Sequence, residues 1–81
     1  MDVDIQRRLA SCFSTIFPEM SPKEIARAST ASVAKWDSLA TLNLIALIEE
    51  EFQIEVQPEN LDGVLSFEII LDYVETRQHA N

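Results

Sequence analysis

One glycine, three prolines, one cysteine and one histidine are all that the 81 residues contain of those four types, and each scarcity excludes something. With so few turn formers the chain does not suit an all-β fold built on many tight turns, and helices joined by a few loops are expected. Cys12 is alone, so no internal disulfide can form, and no Cys/His cluster has the spacing of a zinc site. A reducing cytoplasm fits that cysteine usage. Nowhere do eighteen apolar residues run together, and no apolar stretch of signal-peptide length follows Asp2 and Asp4, so neither membrane insertion nor targeting is expected. Basic residues are also scarce, six against fourteen acids, which argues against nucleic acid as a partner.

Apolar residues, by contrast, make up 47% of the chain, enough for one core at a length near the lower limit for self-sufficient folding. A single all-α domain spanning 1–81, monomeric, is expected. Charge is unevenly placed. From Met1 to Asp37 five acids meet five bases, whereas from Ser38 onward nine acids face only Arg77. Such a half-molecule repels anionic surfaces and attracts basic protein faces, although solubility alone also accounts for an acidic excess.

Periodicity divides the chain into helices. Ile5, Leu9, Cys12 or Phe13, and Ile16 recur at helical spacing until Pro18, with Asp2 and Asp4 at the favourable end of the dipole. Cys12 falls among the apolar positions and reads as packing. Within the long first loop, Ser21, Pro22 and Glu24 spell a capping box and a first-turn proline, which predicts a short helical turn through Ile25. Ala28 to Ser32 is predicted to cross the surface as an extended link, with Ile25 and Val33 as anchors. A second long helix is expected from Asp37 or Ser38 to about Phe52. Leu39, Leu42, Leu44, Ile45, Ala46, Leu47 and Ile48 cover more than one stripe of it, which predicts a central helix touched on several sides. Thr41 and Asn43 mark its polar face. Phe52, Ile54 and Val56 alternate like a strand, but a lone strand has no partner, so an extended connector is predicted. Pro58 to Leu61 reads as a short third helix closed by Gly63, and Ser66 caps a last helix that frays after Arg77. His79 lies in that tail and is given no role.

Templates for catalysis are missing: no base accompanies a nucleophile, no glycine-rich phosphate loop exists, and the acids are dispersed. No enzyme and no metal site are expected. Asp37-Ser38-Leu39 at the mouth of the most apolar helix is the notable motif. Asp and Ser are good N-caps, and the three residues alone require no function. Glu49, Glu50 and Glu51 oppose the dipole at the far end of the helix, so helix formation does not account for them and a recognition role is expected.

Taken together, Asp37-Ser38-Leu39, the apolar run to Ile48, Glu49-Glu50-Glu51-Phe52, then Ile54, Val56 and Pro58, and finally Ile70, Asp72, Tyr73 and Val74 resemble the acyl carrier protein family. The likeness is close over Trp36 to Val74, about half of the chain. It implies a four-helix acyl-carrier-type bundle with a long first loop and a short third helix. It further implies that Ser38, flanked by Asp37 and Leu39, receives 4′-phosphopantetheine from coenzyme A through a phosphopantetheinyl transferase and carries acyl groups as thioesters on that arm. Partners implied are an acyl ligase or acyltransferase and ketoacyl synthase-type enzymes; Glu49, Glu50, Glu51 and Glu55 are expected to meet them, and Trp36 either to do the same or to pack over the first loop. The pattern departs from fatty-acid-synthesis carriers in having Trp36 before Asp37, and Ala40 and Asn43 where acids often stand. A specialised lipid, polyketide or surface-glycan pathway is therefore expected, with a D-alanyl or peptidyl carrier, or an unmodified acidic interaction module, as alternatives.

Overall fold

The structure, a computed structural model, describes residues 3–57 and 65–78. Helix α1, Val3–Ile16, buries Ile5, Leu9, Cys12 and Phe13 along one face, and its first turn is tied by Asp4 to Arg7 at 2.9 Å and to Arg8 at 3.7 Å. It ends two residues before Pro18, which forces the preceding backbone out of the helical region, while Phe17 still turns into the core.

Helix α2, Pro22–Ala26, has the expected capping box. Ser21 Oγ accepts from the Glu24 N–H at 3.3 Å and the Ser21 N–H donates to Glu24 Oε1 at 2.8 Å. Two donors that the short helix could not satisfy internally are thereby paired. Ile25 enters the core.

The link that follows corrects an expectation. Ala28 is buried rather than lying on the surface, and its carbonyl accepts from the Phe67 N–H at 3.0 Å. Thr30 exchanges two bonds with Leu65, N–H to carbonyl at 2.8 Å and Oγ1 from N–H at 3.1 Å, around an isolated antiparallel bridge of Ser29 with Ser66. The small side chains let this segment approach the start of the last helix closely, so their smallness serves packing rather than exposure.

Helix α3, Ser38–Phe52, begins at Asp37 and stops at Gln53, which takes the left-handed conformation at φ 54°. It buries Leu44, Ile45, Ile48 and Phe52. Among the described residues it is α1, not α3, that packs against each of the other three helices, and Leu39 and Leu42 remain 67% and 59% exposed. Residues 54–57 form an extended connector with Val56 buried, and no strand occurs among the described residues. The expected short third helix and His79 lie outside the described residues.

Helix α4, Phe67–Gln78, is capped by Ser66, whose Oγ accepts from the Ile69 N–H at 3.1 Å. It buries Phe67, Ile70, Leu71 and Val74. It continues one residue past Arg77 because Gln78 Nε2 donates to the Phe52 carbonyl at 3.0 Å. The core is knit by aromatic edges: Phe13 meets Trp36 at 5.3 Å and Phe67 at 5.1 Å between ring centres, distances at which edge contacts add to area burial. Among the described residues the molecule is helical, and no helix is long and apolar enough to cross a membrane.

Candidate functional site at the mouth of the third helix

Four hydrogen bonds hold the backbone around Ser38. Asp37 Oδ1 accepts from the Ala40 N–H at 2.9 Å, and the Asp37 carbonyl accepts from the Thr41 N–H at 2.9 Å and the Thr41 hydroxyl at 3.0 Å. Thr41 Oγ1 in turn accepts from Trp36 Nε1 at 3.0 Å. Because Trp36 is packed on Phe13 and Phe17, the mouth of α3 is fastened to α1 through Thr41, which the sequence marks only as part of the polar face of the helix.

Serines stand at the start of three helices, and comparing them is informative. Ser21 and Ser66 use their hydroxyls as caps. Ser38 does not, since Asp37 caps in its place, and its exposed hydroxyl makes no hydrogen bond to a described residue. The cap reaches Ala40, so the Ser38 and Leu39 N–H groups, the first two of α3, are left over at the positive end of the dipole. Beside them runs an open groove of about 380 Å³ flanked by Phe17, Lys35, Asp37, Leu39 and Asn43. On its rim Lys35 pairs with Glu19 at 3.4 Å. The Glu19 backbone N–H and then that ammonium hold the Glu19 carboxyl below the usual carboxylate range.

Of the two expectations for Trp36, packing and partner contact, its burial favours packing: the residue is only 4% exposed, because two aromatic neighbours and the Thr41 hydroxyl enclose it. The acids divide as well. Glu49 Oε2 accepts from the Val56 N–H at 3.0 Å and so fastens the connector after α3. Glu51 receives Arg8 Nε at 2.7 Å, while Arg8 Nη2 donates to the Glu51 carbonyl at 2.7 Å and the guanidinium lies 4.5 Å from the centre of the Phe52 ring. The hydrogen bond to Glu51 holds the Arg8 pKa above its ordinary value. Two of the three acids at the end of α3 thus have structural tasks that offset their cost against the dipole. Glu50 and Glu55 are exposed, with carboxylates outside any ion pair among the described residues.

Cys12 is packed as expected, and burial pushes its thiol up to about 11, away from the thiolate that nucleophilic chemistry needs. Among the described residues no cluster of three or more His, Cys, Asp or Glu is placed to hold a metal. Compared with known proteins, the chain matches no family model and no solved structure.

Proposed function

We propose that the protein is an acyl carrier that holds acyl groups as thioesters on a 4′-phosphopantetheine arm attached at Ser38. The observation that carries the reading is the free, exposed hydroxyl of Ser38 on a helix start already capped by its neighbour. Esterification there disturbs no side-chain hydrogen bond among the described residues, whereas at Ser21 or Ser66 it would remove a cap. Attachment forms an Oγ–P bond as the P–O bond within coenzyme A's diphosphate breaks. The serine proton is lost and 3′,5′-adenosine diphosphate leaves. The residues present suit the product: its phosphodiester anion falls beside the unused Ser38 and Leu39 N–H groups and the positive dipole end, an arrangement that favours anions. When bound, the arm supplies the thiol that carries cargo. This chain's residues do the rest, fixing the attachment point through Asp37, Thr41 and Trp36 and leaving Leu39 and Glu50 exposed on the same helix for enzymes that load and unload it.

The missing acids at Ala40 and Asn43 favour a specialised lipid, polyketide or surface-glycan pathway over housekeeping fatty-acid synthesis. The test is to load the arm-bearing protein with labelled fatty acid and with labelled amino acids, using a ligase of each class. Label released by neutral hydroxylamine and absent from Ser38→Ala is expected with fatty acid. Retention of amino acid alone would make it an aminoacyl carrier, and retention of neither would leave an interaction module.

A further inference from the structure

Attachment at Ser38 makes no use of the groove beside it, between the end of α1 and the mouth of α3, or of Asn43 on its edge. Thr15, Ile16 and Phe17 form one wall and Leu39, Ala40 and Asn43 the other. The volume, about 380 Å³, lies within the range of small-molecule sites. Its charged residues are already engaged, since Asp37 accepts from the Ala40 N–H at 2.9 Å and Lys35 pairs with Glu19 at 3.4 Å. An incoming ion would have to displace one of these partners. Asn43, by contrast, is exposed, and its carboxamide makes no hydrogen bond to a described residue. The groove therefore offers apolar surface and one amide that both donates and accepts. A neutral chain with apolar groups and amides of its own matches that lining. A simple ion does not, and neither does a hydrocarbon tail, which has no polar atom for Asn43.

The groove is also within reach of a chain tethered at Ser38. Asp37 and Leu39, its neighbours on either side, both line it. Asn43 stands five residues beyond Ser38, about 7.5 Å along the helix and about 140° around it. A phosphopantetheine is as long as about four extended residues at about 3.5 Å each, so it can turn over the helix mouth past Leu39 and lay its first amide by Asn43. Resting on the carrier reading above, we propose that this groove seats the neutral part of the arm, with Asn43 as the positioning residue whose carboxamide pairs with an arm amide. The thiol is then held along the α1 side of α3, not against α4.

Wild type and Asn43→Ala are given an isotope-labelled arm, attachment is confirmed by intact mass, and nuclear Overhauser contacts from the arm's amide protons are measured. Contacts with Leu39 and Ile16 are expected in wild type. In Asn43→Ala they are expected to weaken about two- to tenfold, the change in docked-to-free ratio that one hydrogen bond gives. The melting temperature is kept or raised, because alanine favours an exposed helix position. An arm that touches neither wall, contacts confined to Ile70 and Val74 of α4, or contacts undiminished in Asn43→Ala overturns the inference and leaves the carrier reading intact. A lower melting temperature in Asn43→Ala overturns it too, since Asn43 would then serve the fold. Failure of the arm to attach overturns both.

Discussion

Glu50 and Glu51 are adjacent, carry the same charge and sit in the same last turn of α3, yet reversing them is expected to do opposite things. Glu51→Lys removes a 2.7 Å charge-assisted hydrogen bond from Arg8 and sets an ammonium against that guanidinium. Charge-assisted bonds contribute about 1.5–3 kcal/mol when shielded, but these side chains are 34% and 45% exposed. Screening reduces the pair to about 0.5–1 kcal/mol, and the new repulsion adds a similar amount. The cation at the negative end of the helix dipole returns about 0.3–1 kcal/mol, which leaves a loss of about 1 kcal/mol and lowers the melting temperature of a domain this size by roughly 4–8 °C. Glu50→Lys breaks no pair and places a cation at the negative end of the helix dipole, worth about 0.3–1 kcal/mol in the favourable direction. The same change removes a free acid from the exposed face of α3, so transfer of the arm by a transferase is expected to slow several-fold, and the wild-type rate to fall with added salt. Circular-dichroism melts paired with initial rates from intact-mass measurement decide the matter. If Glu50→Lys proves as destabilising as Glu51→Lys, or if both variants slow only in proportion to their melting temperatures, the division of the acids into structural and partner-facing is wrong.

Two further outcomes follow from the core. Thr41→Val leaves Trp36 Nε1 without its acceptor and is expected to cost about 1–3 kcal/mol, read as a lower denaturation midpoint together with a red shift of emission from the only tryptophan. Retention of both properties would remove Thr41 from the fastening of α3. The Cys12 thiol stands at about 11 in the fold against an ordinary value of 9.0. The folded protein therefore holds that proton more tightly than the unfolded one, and the contribution is complete below pH 9 and lost as pH rises towards 11. Wild type is expected to lose more stability than Cys12→Ala across that window in urea titrations, and equal losses would show that the thiol is not desolvated.

Local chemistry was legible in the sequence wherever donor and acceptor lie within one helical turn. The capping box at Ser21 and Glu24, the Asp37 cap and the Ser66 cap were all readable, because each satisfies backbone groups three residues away. Long-range pairs were not. Arg8 and Glu51 are separated by 43 residues, so the acids at the end of α3 read as surplus when one of them was a tether. Leu39 could have been placed outside in advance. At about 100° per residue it lies opposite Ile48, and counting apolar residues without their angles suggested a helix buried all round. Ala28 escaped because it sits in a loop without periodicity, where small residues read as exposed.

The central claim is that Ser38, and no other helix-start serine, receives the arm. Wild type, Ser38→Ala, Ser21→Ala and Ser66→Ala are incubated with coenzyme A and a broad-specificity phosphopantetheinyl transferase, and their intact masses are compared. One phosphopantetheine is expected on wild type, Ser21→Ala and Ser66→Ala, and none on Ser38→Ala. An unmodified wild type across several transferases, or a modified Ser38→Ala, would contradict the account.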